Sequence, residues 1–276
     1  MNQRTGDVDH ITRERYGPWA IVAGASEGIG AAFSRRLAEH GLDLVLVART
    51  EAKLVSLADE IRERYGVATR VLSLDLSVGG AEQTLFEATQ DLDVGLVVYN
   101  AGGDDNGDVH FLDVDADVWA AMLRRNCQVP MLAAHHYGAR MVERGRGGVL
   151  LVSSGAAWAG AARLAPYGAT KAFDLNLGEA LWAEWREHGV DVLSLVVNAT
   201  DTPAIRRLME AHGTELDHLD DPDDVACQGL EHLDDGPTWD VGSADGGGPS
   251  PVGGLSRRDA VLLYSAGTEA MFGSGR

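Results

Sequence analysis

Cysteine is almost missing from this chain of 276 residues: Cys127 and Cys227 are the only two. They stand far apart, without a C-x-x-C pair or zinc-like spacing, which excludes a disulfide framework and a cysteine metal site and fits a reducing cytosol. Basic charge is also scarce, with 23 Lys and Arg against 42 Asp and Glu, a net charge of -19. Such a balance excludes the basic face of a nucleic-acid reader and adhesion to anionic membranes; it reads as a solvated acidic surface that aids solubility. No apolar run approaches the ~18 residues of a membrane span. Met1 to Tyr16 is polar, without the apolar stretch of a secretory leader, so a cytoplasmic location is expected. Without such a leader, the sequon Asn198-Ala199-Thr200 carries no meaning. No metal is expected either. In Asp104-Asp105-Asn106-Gly107-Asp108 the glycine falls at the fourth position rather than the sixth, and no glutamate follows at the twelfth, so a calcium loop is excluded. A solvated loop near the mouth of the site is expected there. His135 and His136 are adjacent and point different ways on a helix.

Hydrophobic residues make up 45% of the chain, enough for a real core. Trp19–Ala23, Leu42–Ala48, Val71–Leu74, Gly95–Tyr99, Gly148–Val152 and Val190–Val197 are short apolar runs that read as buried strands. Between them lie helical patterns, among them Ala31–His40 stopped by Gly41 and Glu51–Tyr65 closed by Gly66. Continuous apolar strands alternating with amphipathic helices imply an α/β fold, a Rossmann-like doubly wound parallel sheet with helices on both faces. The alternation runs unbroken to about residue 200, so a single domain is expected over residues 18–276, preceded by a polar arm, 1–17. Asp221-Pro222 reads as an N-cap with proline at the first helical position. Residues 200–220 are expected to form a substrate loop, 242–254 a Gly-rich loop, and Ser256–Met271 a last helix.

The first strand hands over to the first helix through Gly24-Ala25-Ser26-Glu27-Gly28-Ile29-Gly30. Glycines let the backbone turn tightly and approach a pyrophosphate, whose charge a helix N-terminus favours. The spacing is G-x-x-x-G-x-G, not the general G-x-G-x-x-G. After the second strand an acidic residue would signal NAD by accepting from the ribose 2′-hydroxyl. Here that stretch reads Val47-Ala48-Arg49-Thr50, and an arginine suits a 2′-phosphate, so NADP(H) is favoured over NAD(H). Glu27 is an unfavourable neighbour for that phosphate if it points the same way.

Tyr167 and Lys171 stand four apart, hence on one helical face, and Ser154 lies thirteen residues before the tyrosine. A free phenol titrates near ~10 and is a poor acid–base catalyst at neutral pH; a nearby cation favours its charged form. Reaching about 7 takes roughly 4 kcal/mol, which one lysine and a positively charged nicotinamide ring together could supply.

These residues, in order, resemble the short-chain dehydrogenase/reductases in their single-domain branch. The resemblance rests on Gly24, Gly28 and Gly30, on Asp75, on Asn100-Ala101-Gly102, on Asn126, and on Ser154, Tyr167 and Lys171, and it spans residues 19 to about 203. It implies hydride transfer between a nicotinamide and a carbonyl carbon. Tyr167 would donate the proton and Ser154 would align the carbonyl. Lys171 would bind the nicotinamide ribose, and Asn126 would hold a water in the proton path. Cofactor contacts are implied for Gly24, Ser26, Gly28, Ile29, Gly30, Arg49, Asp75, Leu76, Asn100, Ala101, Gly102, Tyr167, Lys171, Thr200 and Thr202. Tyr16-Gly17-Pro18-Trp19-Ala20 and Val47 to Leu54 further resemble the hydroxysteroid dehydrogenase and long-chain 3-ketoacyl reductase subgroup. Its members are typically NADPH-dependent and carry an acidic residue near position 27. A steroid or acyl-chain ketone is the implied substrate, matching the apolar Ile205, Leu208 and Met209 in the substrate loop. The chain departs from the family where Ala23 replaces a threonine and Val197-Asn198 replaces proline-glycine. The helix after Lys171, with Phe173, Leu177, Leu181, Trp182 and Trp185, is a subunit interface in relatives and implies a homodimer or homotetramer. A catalytically silent nucleotide sensor, or an isomerase or dehydratase on the same fold, are the alternatives.

Overall fold

The computed structural model describes residues 10–104, 109–243 and 252–272. Seven strands form one parallel sheet: β1 (Trp19–Ala23), β2 (Asp43–Ala48), β3 (Thr69–Ser73), β4 (Val94–Tyr99), β5 (Gly147–Ser154), β6 (Val190–Val197) and β7 (Thr238–Asp240). Their order is β3-β2-β1-β4-β5-β6-β7. The helices of the described residues are α1 (Arg13–Tyr16), α2 (Gly28–Glu39), α3 (Glu51–Tyr65), α4 (Ala81–Ala88), α5 (Ala116–Leu123), α6 (Val129–Arg144), α7 (Ala165–Trp185), α8 (Pro203–His212), α9 (Pro222–Glu231) and α10 (Arg257–Phe272).

Strand periodicity divides the core in two. Ala20 and Val22 of β1 face Phe33 and Leu37 of α2, Leu54 and Ile61 of α3, and Val225 and Leu230 of α9. Ile21 and Ala23 face the opposite cluster, with Leu85 of α4, Ala133, Tyr137 and Met141 of α6, and Trp182 of α7 packed against it. A strand buried on both sides has no polar alternation, which is why these runs read as continuous. The doubly wound sheet and its single domain are therefore as the sequence implies.

Differences arise at the margins. β3 is an edge strand, half-buried along Thr69 to Leu72, and begins two residues earlier than its apolar run. β5 continues beyond Val152 because Ser153 and Ser154 pair with Val196 and Val197. β7 is three residues of mixed polarity and carries no strand signal. The segment read as a polar arm docks onto the body from His10 onward. Ile11 and Tyr16 are buried, and the Tyr16 hydroxyl donates to Asp191 Oδ2 at 2.8 Å. The segment expected to form a substrate loop contains α8. Asp221 caps α9 through the Asp223 N–H at 2.7 Å, with Pro222 at the first helical position. Most of the Gly-rich loop and the acidic loop past Asp104 lie outside the described residues. Among the described residues no helix is long and apolar enough to cross a membrane.

Chain order reverses between β1 and β4. In open parallel sheets the crevice at such a point, beyond the strands' carboxyl ends, is where ligands bind.

Candidate active site

The crevice is floored by the glycine turn. Gly24 has φ +83, and a Cβ there would lie 2.9 Å from the Ala101 nitrogen; one on Gly30 would lie 2.0 Å from the Gly24 carbonyl oxygen. The first glycine is fixed by the left-handed backbone and the third by close approach. Asn100, at the end of β4, donates from Nδ2 to the Gly24 carbonyl at 3.2 Å and ties the two central strands together. Glu27 stands at the N-cap of α2 but makes no side-chain bond to it. The first-turn N–H groups are thus left for an anion. These features fit a dinucleotide pyrophosphate.

Beside the turn is a cavity of about 390 Å³, lined by Gly24, Ser26, Arg49, Asp75, Leu76, Ala101 and Gly102 among others. Ile29 instead packs its side chain on the core. Asp75 Oδ1 accepts from Ser77 N at 2.9 Å and Ser77 Oγ at 2.6 Å. Burial would raise the Asp75 carboxyl, but these bonds, with Arg49 and Arg125 nearby, hold it below its ordinary value. Lys53, Arg125 and Arg207 also line the cavity, and the sequence reading missed all three. Lys53 lies in the first turn of α3, four residues past Arg49, which stands outside the helix between β2 and α3. Arg207 comes from α8, too far along the chain for any spacing to reveal it.

The second cluster lies where β5 ends and α7 begins. Ser153 is buried and its hydroxyl donates to the Lys171 carbonyl at 2.8 Å. Ser154 is half-buried on the opposite face of the strand, and its Oγ accepts the Ala156 N–H at 3.2 Å. Alternation along the strand thus turns Ser153 into packing and Ser154 to the other face. Tyr167 is half-buried in the first turn of α7, and its carbonyl accepts from Thr170 Oγ1 at 2.7 Å.

Lys171 is 3% exposed. Its ammonium donates to the Val152 carbonyl at 2.8 Å and to Asp174 Oδ2 at 3.2 Å. A Cβ on Gly102 would sit 2.9 Å from that nitrogen and 3.6 Å from Asn126 Cγ. Asn126 donates to Thr170 Oγ1 at 3.0 Å. Asn126, Gly102, Thr170 and Lys171 are therefore brought together. A π-turn over Arg124–Gln128 widens the helix at Asn126, and the Tyr99 hydroxyl donates to the Arg125 carbonyl within it at 2.6 Å. Such turns recur at functional sites.

Asp174, also unforeseen, is buried beside Lys171 with Oδ1 lacking any partner. Burial raises its carboxyl to about 6, although the lysine pulls the other way. Burial likewise pushes the Cys127 thiol up to about 12, with Asp174 adding to it, which disfavours the reactive thiolate.

Thr200 and Thr202 have local partners. Thr200 Oγ1 donates to the Asn198 carbonyl at 3.0 Å, and Thr202 Oγ1 accepts the Ile205 N–H at 3.2 Å as the cap of α8. Asn198, standing where the family has glycine, reaches the end of β5: its Oδ1 is 3.3 Å from a Cβ placed on Gly155. Trp182 and Trp185 pack within the chain, against Gly236 and Gly138. His136 stacks on Phe86 with centroids 4.0 Å apart.

A parallel sheet of this order, with a glycine turn feeding a helix at its reversal point, is the architecture of a dinucleotide-binding protein. Within that class the chain belongs to the short chain dehydrogenase family, whose model it matches over residues 18–213. It is 39% identical over 193 residues to the 7beta-hydroxysteroid dehydrogenase of Collinsella aerofaciens, covering 70% of this chain and 73% of that one. A solved structure from work on 7beta-hydroxysteroid dehydrogenase stereoselectivity superposes with a TM-score of 0.77 at 35% identity, covering 84% and 89% of the two chains. A short-chain dehydrogenase from Sphingobium yanoikuyae in complex with NADPH gives 0.72 at 26% identity, covering 94% and 97%. The chain is thus an oxidoreductase of the ketone–alcohol type, using a cofactor of the NAD(P)(H) class.

Proposed function

We propose that the protein is an NADP(H)-dependent reductase and dehydrogenase for a bulky apolar ketone and its secondary alcohol, of steroid or 3-ketoacyl type. The observation that carries this reading is the buried ammonium of Lys171, held beside Gly102 and Asn126 one helical turn after Tyr167. A bound nicotinamide supplies the hydride in reduction and takes it back in oxidation. Tyr167 donates its phenolic proton to the forming alkoxide, a transfer of a type that contributes ~10²–10⁴-fold. Ser154 hydrogen-bonds the same oxygen and orients the carbonyl. Lys171 holds the ribose and favours the charged phenol; Asn126 serves the path by which the proton is replaced.

Gly24, Ser26, Gly28, Ile29 and Gly30 would hold the pyrophosphate, Ile29 through its backbone. Arg49 would meet the 2′-phosphate, and Asp75 and Leu76 the adenine. Asn100, Ala101 and Gly102 would back the nicotinamide half; Thr200 and Thr202 shape the loop above it. The relative solved with NADPH supports the choice of cofactor, as does Arg49 in the cavity. The substrate class is supported by the relatives named for 7beta-hydroxysteroids and by α8, where Ile205, Leu208 and Met209 are only half-buried. The decisive experiment follows NADPH and NADH oxidation across steroid ketones, 3-ketoacyl thioesters and small aryl ketones. NADPH-dependent turnover of the first or second group is expected. Preference for NADH, or for small aryl ketones, would overturn the corresponding half.

A further inference from the structure

The cavity beside the glycine turn runs against the charge of the molecule. The chain carries a net charge of -19, yet among the residues lining this cavity Arg49, Lys53, Arg125 and Arg207 outnumber Glu27 and Asp75. Three of those four cations belong to the body around the sheet. Arg207 belongs to α8, the helix of the substrate loop. It reaches across to the turn and donates to Glu27 Oε1 at 2.7 Å, while Lys53 from α3 pairs with Glu27 Oε2. One carboxylate thus bridges two cations from two elements. Partial burial works against the ionised Glu27, but the bonds from Arg207 and Lys53 hold its carboxyl below its ordinary value. A second contact joins the same pieces: a Cβ on Gly28 would meet Thr202 Cγ2, in the cap of α8, at 2.7 Å.

We propose that Arg207 is a phosphate ligand of the cofactor delivered by the substrate loop, and that Glu27 is the internal carboxylate occupying that cation until a phosphate arrives. A guanidinium suits either role, because its planar fork binds carboxylate and phosphate oxygens alike. Exchange of Glu27 for a phosphate group moves Arg207, and α8 with it, onto the cofactor. This rests on the dinucleotide reading of the cavity and adds to it a residue outside the glycine turn and β2. It also settles the position of Glu27: the carboxylate is neutralised in the free protein and competes with the incoming phosphate for the same cations.

Calorimetric titration of the full chain with ADP, 2′,5′-ADP and 5′-AMP tests the assignment. Arg207→Gln is expected to weaken the phosphate ligand it serves roughly five- to tenfold, and Arg207→Lys to restore part of that. Glu27→Gln is expected to act in the opposite direction, tightening the same ligand about two- to fivefold by removing the competitor. If the loss falls on 2′,5′-ADP, the group met is the 2′-phosphate; if on ADP, it is the pyrophosphate. Unchanged affinities in both the Arg207→Gln and Glu27→Gln variants would reduce the bridge to a surface ion pair and overturn the proposal while leaving the cofactor reading intact. A wild-type chain that binds neither these nucleotides nor NADPH or NADH would overturn both.

Discussion

Lys171 and Asp174 illustrate at the scale of single residues how function is bought against stability. Both are buried, and one oxygen of the acid has no hydrogen-bond partner. A carboxyl raised to about 6 in the fold binds its proton more tightly there than in the unfolded chain. The folded state then holds more protons between about pH 4 and 6, and this group's contribution to stability falls as pH rises through that window. Asp174→Asn cannot titrate, so its melting temperature should match wild type near pH 4 and exceed it above pH 6.5. The free-energy gap at neutral pH is on the order of 3 kcal/mol. A gap that does not grow with pH in thermal melts would show that the lysine, not burial, governs the acid. Tyr167→Phe tests the neighbouring function. Removing the hydroxyl should lower turnover ~10²–10⁴-fold or more while the dissociation constant for NADPH, read by fluorescence titration, stays within about threefold.

At the scale of elements, what the sequence revealed depended on burial. β1, β2 and β4 are buried on both faces and read as nearly unbroken apolar runs, and β6 as one interrupted by Asp191 and Ser194. β3 at the edge, β7 with its half-buried Thr-Trp-Asp, and four-residue α1 gave weak signals or none, because their placement depends on tertiary partners. The strand–turn–helix unit at Gly24 was legible because its geometry permits few residues. That constraint makes a prediction. Gly30→Ala would put a methyl 2.0 Å from the Gly24 carbonyl, and backbone cannot yield as a flexible side chain would. The first turn of α2 must shift, at a cost of about 1–3 kcal/mol. The expected outcome is a lower melting temperature together with a dissociation constant for NADPH at least about tenfold weaker. Retention of wild-type affinity in calorimetry would mean that the first turn of α2 does not hold the pyrophosphate.

For the whole molecule, the site was readable only where it follows chain order. Asn126, Ser154, Tyr167 and Lys171 are legible from their order and spacing along the chain, whereas Arg207 and Glu27 meet across 180 positions; such pairs have no spacing pattern to betray them. The same limit applies to self-association. Trp182 and Trp185 of α7 are half-buried against Gly236 and Gly138, so the start of that helix is the better candidate for the expected self-association. A shallow groove there is lined by Ala120, Leu123, Cys127, Gln128, Met131 and Phe173, with Arg124 its one charged residue. Leu123 is 48% and Met131 41% exposed. On a chain of net charge -19, two copies repel least where no carboxylate lines the approach. Paired across a twofold axis, this face would be self-complementary. Light scattering on a sizing column should therefore find a dimer or tetramer, and Leu123→Asp with Met131→Asp should shift it towards monomer. A dimer held by apolar burial is also expected to survive 1 M salt, because screening weakens the repulsion and leaves the contact intact. A wild-type monomer at micromolar concentration, or an assembly unmoved by the paired aspartates, would place the interface elsewhere or remove it.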